Sequence, residues 1–248
     1  MSYFLRFDKT DSDIGLCARS IVAGPESDMV NEFVEQYAAS LAQTRKHYAS
    51  ALFFEPLLPT GYPDLVVVDY DPSAYTRWEP RRGSLQILDL KILHHLHFSR
   101  GSTSEAAMRQ LGLGSRQLLK SLELLMDSGL VERKKQRWVP ARARTTYGIK
   151  AIKAIEAKIS DWGSVFGQAG LNRLFASESF VLSPVAQPSP SIVERADAEG
   201  IGIISLPSGR RAQTIHKPRR SPGMPVSYAS WLFNEWIGRR LVQNHGGA

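Results

Sequence analysis

Two carboxylates and one lysine are the residues of this sequence whose types and spacing suggest chemistry. Glu156 and Lys158 stand two positions apart in the β-branched segment 149–159, IKAIKAIEAKI, and Asp64 follows Pro63 directly before the apolar run LVVV. In a strand, side chains two positions apart project from the same face, so Glu156 and Lys158 would share a site. Carboxylate oxygens suit a hard divalent cation such as Mg²⁺, and such a cation can activate water.

Periodicity alone leaves the conformation of residues 149–159 open. The same letters fit an amphipathic helix with solvated lysine and glutamate side chains, and periodicity by itself favours that helix. An aspartate beside a proline is likewise common in turns, so Asp64 is weak evidence alone. The decision between strand and helix therefore depends on the elements around these residues.

The flanking segments predict a chain that mixes helices and strands. A helix is expected from about Glu26 to Tyr48, with Val30, Phe33, Val34, Tyr37 and Leu41 as its apolar stripe. Strands are expected in ALFFEPLL, in LVVV after Asp64, in Ser179–Leu182 and in Ile201–Ile204, with a helix between Trp162 and Arg173.

Length and composition bound the protein class. The chain has 248 residues, 43% of them hydrophobic and 22% charged, which is typical of one large or two small globular domains. Its apolar runs are far shorter than the ~20 residues of a membrane-spanning helix, and its first residues turn polar before a signal-peptide core could form. A single cysteine, Cys17, excludes an internal disulfide framework. We therefore expect a cytoplasmic protein with no membrane partner.

Positive charge is concentrated in the middle of the chain. Residues 77–150 hold fifteen Lys and Arg against six Asp and Glu, a balance of +9 in a chain whose net charge is +7. A local basic excess attracts polyanions, because neutralised phosphates release condensed counterions. Such a face can also be solvated surface, so charge alone leaves nucleic-acid binding open.

The basic middle segment has the pattern of helix, capped helix, glycine turn, helix and hairpin. Helices are expected over 84–97, from the Ser102–Glu105 capping box to Leu111, and over 115–128, followed by two short strands around a basic turn. This order resembles a winged helix-turn-helix module covering about residues 83–146. The resemblance implies that the third helix enters the DNA major groove and that the wing lies near the backbone. The implied DNA contacts are Arg116, Gln117 and Lys120 on the helix, and Lys134, Lys135 and Arg137 on the wing. The alternative is a protein-interaction module.

The order of the remaining elements resembles the PD-(D/E)XK nuclease superfamily, which has the restriction-endonuclease-like fold. Asp64 matches the first aspartate and Glu156-Ala157-Lys158 matches the (D/E)XK triplet, which favours a strand over 149–159. The two motifs lie 92 positions apart, where the family has a short hairpin, and removing residues 83–146 leaves 28. We therefore expect an α/β fold, a mixed sheet flanked by helices and interrupted by a winged-helix insertion. The nuclease-like domain would comprise residues 1–82 and 147–248.

This resemblance implies a metal-dependent deoxyribonuclease. Asp64 and Glu156 would bind Mg²⁺, with Mn²⁺ as a substitute, and Lys158 would orient or help deprotonate the attacking water. Glu26, in a segment similar to the first-helix motif of Holliday-junction resolvases, would hold the metal through water. Gln168, on the helix after the lysine, would position the site. Glu32, Glu35 and Glu55 are competing carboxylates for which surface roles are expected.

Other functions remain alternatives. The chain could be a non-catalytic DNA-binding regulator, or a partner-dependent subunit of a recombination or transposition complex. Double-strand cleavage usually calls for two active sites, so a homodimer is one expectation. A C-terminal helix over 228–243 is expected to cap the nuclease-like core or to form a dimer contact. A flexible loop is expected over 207–222, with Arg210, Arg211, Lys217, Arg219 and Arg220 either steering DNA or simply solvated.

Overall fold

A computed structural model describes residues 4–43, 48–221 and 227–246 of the chain. The chain forms two compact units. The first comprises Met1–Tyr70 and Ile149–Val226, and the second comprises Asp71–Gly148 and Ser227–Ala248. In chain order the strands and α-helices are β1 (Phe4–Phe7), α1 (Pro25–Gln43), β2 (Ala49–Phe54), β3 (Leu65–Tyr70), α2 (Ile87–Phe98), α3 (Ser104–Leu111), α4 (Ser115–Asp127), β4 (Val131–Lys134), β5 (Arg137–Pro140), α5 (Ala143–Thr146), β6 (Ile149–Ala157), α6 (Trp162–Asn172), β7 (Glu178–Ser183), α7 (Pro190–Glu199), β8 (Gly202–Ser205), β9 (Gln213–His216) and α8 (Tyr228–Gly246).

The first unit is built on a seven-stranded mixed sheet in the order β1-β2-β3-β6-β7-β8-β9. The pairs β1–β2, β6–β7 and β7–β8 are parallel, whereas β2–β3, β3–β6 and β8–β9 are antiparallel. This arrangement confirms the predicted α/β class with a mixed sheet. Strand β1, which was not predicted from the sequence, forms one edge of the sheet.

Helices cover both faces of this sheet. On one face, Met29, Val30 and Phe33 of α1 pack against inward-facing strand residues such as Leu65 and Ile155. On the other face, α6 and α7 pack against alternating residues of β7 and β8. Successive strand side chains point to opposite faces, which explains why these strands are apolar at nearly every position.

The segment 149–159 contains the strand β6 through Ala157, so the predicted strand is confirmed and the amphipathic helix is wrong. Strand β6 pairs with β3 on one side and with β7 on the other, and residues on both of its faces are buried. A central strand needs apolar and β-branched residues on both faces, which is why its periodicity resembled that of a helix.

The second unit contains the predicted three helices and hairpin. Helices α2, α3 and α4 begin and end within three residues of their expected bounds, and β4 pairs with β5 in antiparallel register. Gly112 ends α3 and Gly129 follows α4, both in left-handed conformations that suit glycine. The N-cap of α3 is Thr103, which accepts a hydrogen bond from the Ala106 N–H, rather than the predicted Ser102.

The C-terminal helix α8 belongs to the second unit, whereas the sequence pattern placed it in the nuclease-like domain. A buried ion pair joins Glu235 of α8 to Arg82, with N···O distances of 2.6 and 3.0 Å. Beside it, the Asn234 amide oxygen accepts hydrogen bonds from the Tyr75 hydroxyl and the Gly148 N–H. These partners lie on turns outside the apolar pattern, so periodicity could not reveal them.

The segment 207–222 also differs from expectation. Instead of a flexible loop, it contains β9, which pairs with β8 and extends the sheet of the first unit. Pro222 lies outside the described residues, as do residues 44–47 at the expected end of α1. Among the described residues, no helix combines the length and apolar character needed to cross a membrane.

Candidate active site

Asp64 and Glu156 come together where β3 begins and β6 ends. Leu65 is paired with Ile155 across the antiparallel strands, so the residue before β3 lies beside the last residues of β6. The Ala157 N–H donates a hydrogen bond of 2.7 Å to Asp64 Oδ2. A separation of 92 positions in sequence thus becomes direct contact between the two motifs.

Glu156 is a buried carboxyl group among other carboxyl groups. Its side chain belongs to a residue that is only 4% exposed. Burial, followed by the negative charges of Asp64 and Glu55, raises the pKa of Glu156 to about 8. One hydrogen bond, from Asn172 Nδ2 to Glu156 Oε1 at 2.6 Å, opposes this shift. Near neutral pH this carboxyl group therefore holds a proton unless a cation replaces it.

The pKa of Asp64 is raised as well. Burial is the main cause, and the negative charge of Glu26 adds to it. The hydrogen bond from the Ala157 N–H and the positive charges of Arg19 and Lys158 act in the opposite direction. These influences show that Asp64 lies within electrostatic reach of both the lysine and the first-helix glutamate.

Lys158 directly follows β6 and forms an ion pair with Glu26 of α1, with Nζ 2.9 Å from Oε1. The lysine side chain is 29% exposed and the glutamate 42%, so the pair is open to solvent. The hydrogen bond to Glu26 is the main cause that raises the pKa of Lys158. Lys158 is therefore a charged, accessible hydrogen-bond donor beside the carboxyl pair.

Glu55 is a member of this cluster for which a surface role was expected. The structure corrects that expectation, because Glu55 is buried at 8% exposure directly after β2. Burial and the charge of Asp64 raise its pKa. Glu55 also has a φ of 48°, a left-handed conformation that costs a non-glycine residue roughly 1–3 kcal/mol.

Arg19 holds Glu55 in place, and no sequence signal pointed to it. Its guanidinium donates two hydrogen bonds to Glu55 Oε2, at 2.5 and 3.1 Å, and its backbone N–H donates to the Glu55 carbonyl oxygen. Arg19, Glu26, Glu55 and Asp64 together line a cleft of about 140 Å³. Half of the Arg19 side chain remains exposed, so its guanidinium can meet an anion that enters this cleft.

Asn172, rather than Gln168, contacts the cluster. Both residues are on α6, but Gln168 is exposed while Asn172 is buried and donates to Glu156. Gln168 was predicted because the family places a glutamine on this helix. Asn172 lies one helical turn later, and only its distance to Glu156 in the folded chain identifies it.

Asp64 and Glu156 fit a magnesium ion, although with few protein ligands. Within residues 4–43, 48–221 and 227–246, no three His, Cys, Asp or Glu side chains are placed to enclose a metal. Mg²⁺ is commonly bound by one or two carboxylates and keeps several waters and substrate oxygens. Two adjacent carboxyl groups of raised pKa, with oxygen donors only, match that chemistry.

The predicted DNA contacts lie on the surface of the second unit. Arg116, Gln117 and Lys120 are all exposed on α4, opposite the buried Leu118 and Leu122. Lys134, Lys135 and Arg137 are exposed in the hairpin. Two of these hairpin residues also bond within the protein: Lys134 Nζ lies 3.0 Å from Glu132, and Arg137 donates to the Gly101 carbonyl oxygen at 2.6 Å. Lys135 occupies the turn itself, with a φ of 56°.

Comparisons with known proteins do not assign a family. No protein-family model matches the chain, and no significant match was found among curated proteins or solved structures.

Proposed function

We propose that this chain is a Mg²⁺-dependent DNA endonuclease of restriction-endonuclease-like fold, in which residues 83–146 form an inserted winged helix that binds DNA. The observation that carries the proposal is the meeting of Asp64 and Glu156 at neighbouring strand ends, with Lys158 beside them. The charge of Asp64 raises the pKa of both Glu156 and Glu55 in this buried cluster, and groups with such perturbed pKa values are concentrated at functional sites.

Asp64 and Glu156 are the proposed metal ligands. A bound Mg²⁺ would supply positive charge at the phosphate and lower the pKa of a water molecule. Asn172 donates a hydrogen bond to one oxygen of Glu156, and the Ala157 N–H donates one to Asp64. These two hydrogen bonds orient the carboxyl groups before any cation arrives, which is the usual function of such supporting contacts.

Lys158 is the proposed residue that orients the attacking water. In hydrolysis, the water oxygen forms a bond to phosphorus and loses a proton to solvent, while the bond from phosphorus to a sugar oxygen breaks and that oxygen takes up a proton. The Lys158 ammonium can donate a hydrogen bond to this water or to a phosphate oxygen, and it offsets the negative charge that develops. Glu26 keeps that ammonium in position through their 2.9 Å ion pair.

The DNA-binding part of the proposal is supported by shape and charge. Helix α4 is amphipathic, with leucines buried and basic or polar residues exposed near its N-terminus, and it precedes a basic hairpin. Helices that read the major groove use the side chains of their first turns in this way. The +9 balance of residues 77–150 supplies the phosphate attraction.

Cleavage of supercoiled plasmid tests the nuclease. We expect nicking or linearisation with Mg²⁺ or Mn²⁺, and a loss of about 10²-fold or more in Lys158→Ala, since positioned proton-transfer and water-orienting groups contribute at least that much. Lys150→Ala is the matched control, because Lys150 is an exposed lysine at the opposite end of β6. Wild-type protein that binds DNA yet leaves it intact in both metals would contradict the nuclease and favour a regulator or a partner-dependent subunit.

The salt dependence of DNA binding tests the winged helix separately. Replacing Arg116 and Lys135 together by glutamines should lower the slope of log affinity against log salt by about 1 for each phosphate that is no longer neutralised. Arg81→Gln is the control, since Arg81 belongs to the same unit but lies 3.6 Å from Asp127. An unchanged slope in the double variant would contradict the DNA contacts assigned to this unit.

A further inference from the structure

A basic turn in the first unit presents two arginines that the nuclease site does not use. Arg210 and Arg211 follow a tight turn in which the Arg210 N–H donates to the Pro207 carbonyl oxygen and Gly209 has a φ of 69°. Both arginines are exposed. Within the described part of the chain, neither guanidinium forms an ion pair with a carboxylate.

The backbone of this turn is fixed to α1. Gln36 Nε2 donates to the Arg210 carbonyl oxygen at 2.9 Å, and Gln36 Oε1 accepts from the Ala212 N–H at 2.7 Å. Ala212 packs against the core cluster that contains Val30 and Phe33. One side-chain amide thus holds the backbone on both sides of Arg211, and the arginine side chains extend from a rigid base.

The other arginines of the same segment have partners within the protein. Arg219 donates to the Asp197 carbonyl oxygen at 3.2 Å, and the guanidinium of Arg220 lies 3.9 Å from Glu178. Arg210 and Arg211 therefore differ from their neighbours in the chain. They have the same charge, but among the described residues their guanidinium groups have neither an ion pair nor a hydrogen bond, and both residues are exposed.

Helix α1 sets the spacing between this turn and the candidate active site. Glu26, the partner of Lys158, and Gln36, which holds the turn, are ten residues apart on α1. At 1.5 Å per residue their backbones are separated by about 15 Å along the helix axis. That distance corresponds to roughly four base-pair steps of duplex at 3.4 Å each.

We infer that Arg210 and Arg211 form a DNA-backbone clamp, binding phosphates a few nucleotides from the bond that is cut. This inference rests on the proposed nuclease function and adds a second DNA-binding element, carried by the catalytic unit itself. Paired arginines suit phosphate oxygens because each guanidinium presents donors in a fixed planar geometry. A clamp at fixed distance from the carboxyl pair would set where the scissile phosphate lies.

Binding and cleavage by the full-length double variant Arg210→Gln/Arg211→Gln test the clamp. On a 30-base-pair duplex, we expect the slope of log affinity against log salt to fall by about 1 to 2 and KM for cleavage to rise roughly tenfold. The turnover number at saturating DNA should change less than twofold, since neither arginine touches the carboxyl pair. The control is Arg195→Gln/Arg220→Gln, which removes two arginines that lie beside Glu199 and Glu178.

The outcomes separate this inference from the proposed function. Wild-type cleavage with the same KM and salt slope in both double variants overturns the clamp and leaves the nuclease intact. Absence of cleavage and DNA binding in the wild type overturns both. The double variant could instead bind duplex DNA as the wild type does and no longer bind single-stranded RNA or an acidic protein. That result assigns the turn to another partner and also overturns the clamp.

Gln36→Met provides a second, milder test. This variant keeps both arginines and a side chain of similar length but removes the two hydrogen bonds to the turn. If a fixed position matters, KM should rise about threefold while the salt slope, which depends on how many phosphates are neutralised, stays at the wild-type value. A wild-type KM would show that the arginines act from a mobile turn and would contradict a clamp of fixed spacing.

Discussion

Two buried clusters of charged side chains in the described part of the chain differ in how their charge is balanced. In the second unit, Glu235 and Arg82 are 1% and 4% exposed, and each satisfies the other through two hydrogen bonds. In the first unit, Glu156 is similarly buried, but the charges that affect it most strongly are those of other carboxyl groups. Arg19 offsets some of this charge and is already bound to Glu55.

The presence of a buried counter-charge in only one of these two clusters suggests different roles for them. A buried carboxylate with a buried arginine partner ties α8 to the turn at Arg82, and Trp78 stacks on the guanidinium at 3.5 Å. The role of this ion pair is therefore structural. The carboxyl groups of Asp64, Glu156 and Glu55 have no such matched partner set, and clusters of this kind are concentrated at functional sites, which is why the proposed metal site is placed here.

The largest expected effect is on cleavage by variants of the first cluster. Asp64→Asn and Glu156→Gln should each lower metal-dependent cleavage by about 10³-fold or more, because several kcal/mol of charge stabilisation at the phosphate disappear with the metal ligand. The melting temperature in EDTA should be unchanged or higher, because each new amide is neutral and has nearly the same shape as the buried carboxyl group that it replaces. Plasmid cleavage and calorimetry measure the two quantities. Full activity in both variants would contradict the proposed metal site.

Glu235→Gln is the same chemical change at the second cluster, and its effect should be the reverse. Leaving Arg82 buried without a carboxylate should lower the free energy of unfolding by about 3–5 kcal/mol. Cleavage per folded molecule should remain close to wild type in urea-free buffer at low temperature.

A double-mutant cycle sharpens this prediction. In Arg82→Met/Glu235→Leu both charges are replaced by apolar side chains, which is often neutral for buried pairs, so at least half of the missing stability should return. Urea titrations give all four free energies. Additive destabilisation in the double variant would show that the two side chains act independently, in conflict with a structural ion pair.

The sequence predicts an element of the fold well when the signals for that element lie within its own residues. The three helices and the hairpin of the second unit have local caps, glycine stops and leucine spacing, and they lie where predicted. Strand β6 required the order of its neighbours, because a strand buried on both faces loses the alternation that marks a strand. Strand β9 was missed because its segment is rich in Pro, Ser and Gly, and α8 was misplaced because its partners, such as Arg82, are distant in sequence.

The candidate site shows the same limit. Asp64, Glu156 and Lys158 stand in short motifs whose types and spacing are visible in the chain. Arg19 and Asn172 are ordinary polar residues until folding brings them to Glu55 and Glu156. Glu55 had one available signal, its position at the end of an apolar strand, where side chains of neighbouring strands meet.

The smallest expected effect is the pH dependence that burial imposes on Glu156. Its folded pKa of about 8 lies above the ordinary value of 4.5, so folding favours the protonated carboxyl group. Its contribution to stability is therefore complete below pH 4.5 and is lost as pH rises through about 8. In EDTA, the unfolding free energy of the wild type minus that of Glu156→Gln should decline over this range by on the order of 1–3 kcal/mol.

Adding Mg²⁺ or Mn²⁺ at pH 8 should recover much of that decline, because the cation binds the ionised carboxylate that the neighbours disfavour. Chemical denaturation at pH 5, 6.5 and 8 measures the difference. If it does not change with pH, the negative charge of Glu156 is balanced by its surroundings, which would contradict this prediction.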